Sequence, residues 1–213
     1  VLIVPLGVVS IYFIIIQPIE IGTWCTLCLI AALAMAVMIP YSLNEFVTMG
    51  QFLVWSRRQG KPFWRTFWTG DAMDGGSDDT TKGLAASPGE QWAQATRGVT
   101  YPWTLNLSIA IGVWFMFTRL TLDNSGAMAN SDHLIGSLVV VFSLMAWAEV
   151  GRAIRFINIP FGAWLIAAPW LLDGAGSSFS AWNSVIGGVL LILLAIPRGK
   201  VKESYMGWDR YIV

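Results

Sequence analysis

Six long apolar stretches, separated by short polar segments, dominate the hydrophobic pattern of the chain. They cover roughly residues 1–18, 23–46, 102–122, 133–151, 157–172 and 181–197. A helix needs about 20 consecutive apolar residues to cross the hydrocarbon core of a bilayer. The pattern therefore predicts an all-α, polytopic integral membrane protein with about six transmembrane helices.

Residues 47–98, between the second and third apolar stretches, change character. In residues 47–70, aromatic side chains alternate with basic ones, which is typical of a segment in the membrane interface and equally of an ordinary flank of a span. Residues 71–98 are rich in Asp, Gly, Ser, Thr and Pro, as in a flexible linker. This segment is thus predicted to separate a helix pair, residues 1–46, from a second helical domain.

Composition supports the membrane prediction. The chain is 55% hydrophobic and 12% charged, whereas soluble domains carry about 25% charged residues. Twelve tryptophans and eleven phenylalanines fit aromatic belts at two membrane interfaces. The formal net charge is zero, so the sequence gives no reason to expect a nucleic-acid partner. Because the sequence opens on Val1 inside an apolar stretch, we expect it to be part of a longer protein.

The basic residues are distributed unevenly across the predicted topology. With six spans, every Lys and Arg except Arg119 falls on one side, and the loops at 19–23, 123–132 and 173–180 contain none. By the positive-inside rule, the basic side is cytoplasmic. The sequence therefore predicts that the linker and the tail, residues 199–213, lie in the cytoplasm.

The two cysteines, Cys25 and Cys28, stand where a polar loop meets the second apolar stretch. Residues at i and i+3 share one helix face, so these thiols can form a disulfide. Thiols in a first helical turn also feel the positive end of the helix dipole, which favours the reactive thiolate. The charge pattern places both thiols near the extracytoplasmic face, where disulfide chemistry is sustained in bacteria.

Two interpretations of this C-x-x-C motif stay open at this point: a redox centre, and a pair of structural or inert thiols. The motif predicts no metal site, since there is no second C-x-x-C and His133 is distant in sequence. His133, next to Asp132, is predicted to be an interfacial polar residue rather than a haem or chlorophyll ligand. Glu149 and Arg152, at i and i+3, are predicted to form an ordinary interfacial ion pair.

A weak internal repeat marks the second half of the chain. Gly112-Val113-Trp114 recurs as Gly162-Ala163-Trp164, 50 residues later, and Leu134-Ile135-Gly136 recurs as Val185-Ile186-Gly187, 51 residues later. Each unit is predicted to be two helices with a short outer connection. Its glycines permit close helix contact in lipid.

Residues 1–46 resemble the C-terminal part of the catalytic bundle of the vitamin K epoxide reductase family. The resemblance rests on the apolar helix ending in Ile14-Ile15-Ile16-Gln17, the short loop, and the C-x-x-C that opens the next helix. It implies that Cys25 and Cys28 are catalytic, with a quinone as cofactor and a thioredoxin-like thiol protein as partner. Cys28 would face the quinone, and Cys25 would exchange disulfides with the shuttle.

The sequence departs from that family in three respects. It holds no second cysteine pair on an outer loop and no counterpart of the first two bundle helices, and Ala32 stands where vitamin-K-reducing members have a tyrosine. The resemblance therefore does not imply vitamin K as the substrate.

Residues 99–198 resemble the SPW repeat, a two-helix bacterial membrane module. The best copy is the segment from Asn158 to Trp170, in which Ala168-Pro169-Trp170 replaces Ser-Pro-Trp. This resemblance implies architecture without chemistry. Together the observations favour a thiol–quinone oxidoreductase of the bacterial inner membrane. The alternative is a non-catalytic accessory subunit that packs within a larger membrane complex.

Overall fold

The computed structural model describes residues 3–23, 25–71 and 87–212, which are nearly all helical, without strands in these ranges. Residues 72–86 of the predicted linker lie outside the described residues, as does Trp24 of the cysteine motif. The α-helices are α1 (Ile3–Ile16), α2 (Thr26–Arg58), α3 (Phe63–Thr69), α4 (Pro88–Ala95), α5 (Trp103–Met116), α6 (Thr118–Thr121), α7 (Gly126–Met145), α8 (Asn158–Leu171) and α9 (Ser178–Ala195). A π-helical turn, Gln17–Ile21, extends α1, and 3-10 helices cover Glu149–Ile157 and Met206–Tyr211.

Six of the described helices are apolar and correspond to the six predicted stretches. Four are long enough to cross a membrane: Thr26–Arg58, Gly126–Met145, Glu149–Leu171 and Ser178–Ala195. Two are shorter, Leu6–Ile21 and Trp103–Met116. The prediction of an all-α, multi-pass membrane protein is confirmed, and such a protein contacts the lipid bilayer.

Two helix boundaries differ from the sequence prediction. Helix α2 does not end near Phe46 but continues to Arg58 as one helix of 33 residues, so residues 47–58 are not a separate interfacial element. Helix α7 begins at Gly126 rather than at His133. Asp132 is accommodated inside it because Thr118 Oγ1 and Asn124 Nδ2 donate hydrogen bonds of 2.9 and 2.8 Å to its Oδ2 atom.

The second half of the chain contains two helix hairpins, α5–α7 and α8–α9. In each hairpin a pair of glycines lies where the two helices make their closest contact. A Cβ atom on Gly112 would lie 2.7 Å from the carbonyl oxygen of Gly136, and one on Gly162 would lie 2.5 Å from that of Gly188. The predicted repeat therefore exists, but its second glycine is Gly188 and not Gly187. A Cβ on Gly187 would meet the ring of Phe115 instead, at the contact between the hairpins.

The two hairpins share one apolar core. It consists of the buried side chains Phe115, Ile135, Val139, Leu165 and Leu191, drawn from α5, α7, α8 and α9. The two hairpins also exchange hydrogen bonds at the edge of this core. Trp114 Nε1 in the first hairpin donates to Asn183 Oδ1 in the second at 3.1 Å, and Trp164 Nε1 in the second donates to Ser131 Oγ in the first at 2.8 Å.

The helix pair α1–α2 packs against α7, and this packing gives His133 a different environment from the predicted one. The His133 ring is only 5% exposed, so it is a buried residue and not an interfacial one. Its Nε2 atom lies 3.2 Å from the carbonyl oxygen of Ile14, and its Nδ1 atom lies 3.4 Å from that of Met116. His133 therefore connects the end of α1 with the end of α5.

The predicted ion pair between Glu149 and Arg152 is wrong. Glu149 is fully buried, and its carboxylate accepts hydrogen bonds from the backbone N–H groups of Lys202 and Glu203 at 2.9 and 3.0 Å. The hydroxyl of Tyr205 donates a third, at 3.3 Å. A carboxylate buried in the fold needs such donors, and the C-terminal tail supplies them where Arg152 does not.

Candidate redox site

Cys25 is the N-cap of α2. Its backbone is extended, with φ −89° and ψ 112°, and its Sγ atom accepts a hydrogen bond from the backbone N–H of Cys28 at 3.4 Å. Its carbonyl oxygen accepts the first helical bond, from Leu29 N at 3.0 Å. The sulfur thus does what a Ser or Asp oxygen does at most N-caps, where it satisfies an N–H group of the first turn.

The structure brings the two predicted site residues together. Cys25 and Cys28 are both exposed free thiols. The Cys28 thiol, as a hydrogen-bond donor to a Cys25 thiolate, and the backbone N–H of Cys28 lower the pKa of Cys25 below its ordinary value, because both stabilise the thiolate. The arrangement suits nucleophilic chemistry at Cys25, with Cys28 within reach as its partner.

The loop before Cys25 is held by Gln17, a residue to which the sequence analysis assigned no role. The Gln17 side chain is 5% exposed, and its Oε1 atom accepts a hydrogen bond from Cys25 N at 3.2 Å. The Gln17 carbonyl oxygen accepts another from Gly22 N at 3.0 Å. Gly22 has φ +72°, a left-handed conformation that glycine adopts without strain.

Arg119 supports the same loop from the second half of the chain. Its Nη1 atom donates to the carbonyl oxygen of Pro18 at 3.0 Å, and its Nη2 atom donates to Asn130 Oδ1 at 2.5 Å. The sequence did carry a signal for this role, since Arg119 is the one basic residue on the predicted extracytoplasmic side. Its side chain links the cysteine loop to α7.

Two small cavities lie near the cysteines, one beside the loop that precedes them and one beside α2. One of about 110 Å³ is lined by Pro18, Gly22, Arg119 and His133, among others. The other, of about 70 Å³, is almost wholly apolar and lies between α1, α2 and α7, where Ala32 and Met35 contribute to its wall. Pockets that enclose small organic ligands usually measure about 300–1,000 Å³, so neither cavity fits a quinone ring as it stands.

Comparison with known proteins gives one match. Residues 102–197 match the family model of the SPW repeat domain, which covers α5 to α9 and agrees with the resemblance seen in the sequence. No curated protein and no solved structure matches the chain. The SPW repeat is a membrane domain, which agrees with the apolar helices of this half of the chain.

Proposed function

We propose that Cys25 and Cys28 form the reactive centre of a membrane thiol–disulfide oxidoreductase that delivers electrons to a quinone, as enzymes of the vitamin K epoxide reductase type do. One observation carries the proposal: the sulfur of Cys25 caps α2 and accepts a hydrogen bond from the backbone N–H of Cys28, so two exposed thiols share the first turn of one helix. An inert structural pair has no need of exposure, whereas a pair that exchanges disulfides must be reached by another thiol.

The proposed chemistry has two half-reactions. A thiolate of the partner protein attacks the Cys25 sulfur of the oxidised pair, and Cys28 leaves as a thiolate that takes up a proton. A second partner thiol then resolves the mixed disulfide, so the partner is oxidised and both cysteines are reduced. Re-forming the Cys25–Cys28 disulfide releases two electrons and two protons, the number that converts a quinone into a quinol.

The residues around Cys28 bear on how an acceptor would approach. Leu27, Ile30 and Leu33 are 77%, 60% and 67% exposed, so the first turns of α2 present an apolar surface to lipid. Because the neighbouring cavities are too small for a quinone ring, the proposal assigns no residue of this chain to hold it. The quinone would instead meet the exposed Cys28 from the bilayer.

The proposal places the site on the extracytoplasmic side of a bacterial inner membrane. Its support is the charge pattern of the sequence, in which every Lys and Arg except Arg119 falls on the side opposite to the cysteine loop. A thioredoxin-like shuttle would then reach Cys25 in an oxidising compartment.

The test is quinone-dependent oxidation of a dithiol by the purified full-length protein. We expect Cys25→Ala and Cys28→Ala each to abolish turnover, because either change removes one half of the disulfide. Thr26→Ala is the matched control, since it alters one of the two residues between the cysteines and keeps their spacing. Unchanged turnover in Cys28→Ala would reject the enzyme and favour the non-catalytic accessory subunit.

A further inference from the structure

A large open groove of about 1,100 Å³ lies at the basic end of the bundle. Its walls come mostly from two segments: residues 96–104, which lead into α5, and residues 197–203, which follow α9. The two segments are joined by a hydrogen bond of 3.2 Å from Thr100 Oγ1 to the carbonyl oxygen of Lys200. The groove therefore lies between two segments of the fold that are hydrogen-bonded to each other, and it is not a gap beside a single loop.

The charged side chains that line the groove are mainly basic. Arg97, Lys200 and Lys202 are exposed there, against Glu203 and Glu149. The Glu149 carboxylate is already occupied, since the tail donates three hydrogen bonds to its oxygens. The three basic side chains outnumber the two acidic ones, so an anion that enters the groove would meet a net positive charge.

One guanidinium group, that of Arg152, stands behind the groove and adds to this charge. Arg152 is fully buried. Arg152 Nη2 donates to Thr100 Oγ1 in the groove wall, and Arg152 Nη1 lies 3.9 Å from the position that a Cβ of Gly199 would take. Because Gly199 has no side chain, the Arg152 guanidinium lies directly behind the Gly199 backbone in the groove wall.

Several buried donors at the groove have no partner among the described residues. They are Arg152 Nε, Arg152 Nη1 and the hydroxyl of Thr104. Thr104 lines the groove and is only 2% exposed. Leaving a buried donor unpaired costs free energy, so the Thr104 hydroxyl is an unused donor for an acceptor oxygen that enters the groove, while Arg152 contributes its charge from behind the wall.

The start of α5 adds backbone donors to this set. This helix of 14 residues begins at Trp103 behind Pro102, and no side chain caps it. The first N–H groups of a helix have no partner within the helix and point at whatever lies before it. Trp103 and Thr104 both line the groove, so these N–H groups face the same space as the unpaired Thr104 hydroxyl.

The position of the groove indicates which anion it meets. Tyr101 and Trp103 are 51% and 71% exposed at its rim, directly before an apolar helix. Tyrosine and tryptophan concentrate at the level of lipid head groups. Basic pockets between membrane helices bind the head groups of anionic lipids. We propose that this groove binds the phosphate of an anionic phospholipid, on the side of the membrane where the basic residues of the protein lie.

The experiment titrates the full-length protein, in an uncharged detergent, with short-chain phosphatidylglycerol, phosphatidylcholine or inorganic phosphate, and follows thermal unfolding. We expect phosphatidylglycerol alone to raise the melting temperature. The double variant Lys200→Gln/Lys202→Gln should need about tenfold more of this lipid, since each such lysine contributes to anionic-lipid affinity. Arg58→Gln/Arg65→Gln, which removes the same charge from exposed positions outside the groove, should stay within about threefold of the wild type.

A second variant, Thr104→Val, separates binding from folding. It removes an unpaired buried hydroxyl at nearly constant volume, so the lipid-free protein should be as stable as the wild type or more so. Its response to phosphatidylglycerol should nevertheless be weaker.

Four outcomes would overturn the proposal. Equal losses in the two double variants would indicate non-specific attraction, and an equal response to phosphatidylcholine would reject an anion site. Stabilisation by inorganic phosphate alone at matched concentration would assign the groove to a soluble phosphate. An unaltered lipid response in Thr104→Val would show that the unpaired buried donor in the groove wall takes no part in binding, and would leave the groove without a built site.

Discussion

Gly112 and Gly136 bring the backbones of α5 and α7 into direct contact. A Cβ on Gly136 would lie 2.5 Å from the carbonyl oxygen of Gly112, and a Cβ on Gly112 would lie 2.7 Å from that of Gly136. Neither distance is compatible with a side chain, and in both cases the atom that would have to move is backbone. Since lipid tails are as apolar as the helices, close backbone packing of this kind is what holds membrane helices together.

Gly136→Ala should therefore destabilise the protein by about 1–3 kcal/mol, the usual cost of overpacking a well-packed contact. Thermal unfolding in detergent measures the change. Gly50→Ala is the control, because a Cβ at that position in α2 meets nothing within 4 Å. The control should be neutral or slightly stabilising, since alanine is the better helix former. Equal losses in both variants would contradict the close contact.

Glu149→Ala should release the C-terminal tail. The change removes the charged acceptor of the backbone N–H groups of Lys202 and Glu203, and each such hydrogen bond contributes about 1.5–3 kcal/mol. Burial and the Glu149 carboxylate also raise the pKa of Tyr205, which keeps its hydroxyl protonated as a donor at all physiological pH values. Faster trypsin cleavage after Lys202 is the expected result, and Glu45→Ala, an exposed change on α2, should leave the cleavage rate unaltered.

The reactivity of Cys25 should persist to lower pH than that of an ordinary thiol. Its pKa is lowered chiefly by the hydrogen bond from the Cys28 thiol, and only the thiolate is alkylated. In Cys28→Ala this donor is lost, so the pKa should rise and the rate–pH profile of alkylation should move to higher pH.

Cys28→Ser supplies the matched control for that profile. Its hydroxyl can still donate to the Cys25 sulfur, so its profile should lie nearer to the wild type than that of Cys28→Ala. Mass spectrometry of iodoacetamide-treated protein follows both variants. Identical profiles for the two substitutions would show that the side-chain hydrogen bond does not tune Cys25.

The proposed orientation can be tested with single cysteines introduced into a variant that lacks Cys25 and Cys28. Ser87 and Ser177 are both exposed, and they lie at opposite ends of the bundle. A membrane-impermeant maleimide added to intact cells should label Ser177→Cys and spare Ser87→Cys until the cells are opened. The reverse labelling pattern would invert the topology and place the native cysteines in the cytoplasm.

Local pattern was enough to predict the helical membrane fold. The apolar stretches predicted six apolar helices, and the recurrence of Gly112 and Trp114 at Gly162 and Trp164 predicted the two hairpins. The spacing of Cys25 and Cys28 at the start of an apolar stretch predicted two thiols on one helical turn. These features depend on residues close together in sequence, so composition and periodicity are sufficient to find them.

Tertiary structure alone decided the partners of the buried polar groups. Glu149 accepts hydrogen bonds from backbone N–H groups more than 50 residues away, although the i, i+3 spacing predicted Arg152 as its partner. Arg119 supports the cysteine loop across 101 residues. Gly188 rather than Gly187 contacts Gly162 in the second hairpin, and Gly187 faces the ring of Phe115 in the first hairpin. A buried donor or acceptor is satisfied by whichever group packing brings near, and that packing depends on the whole fold.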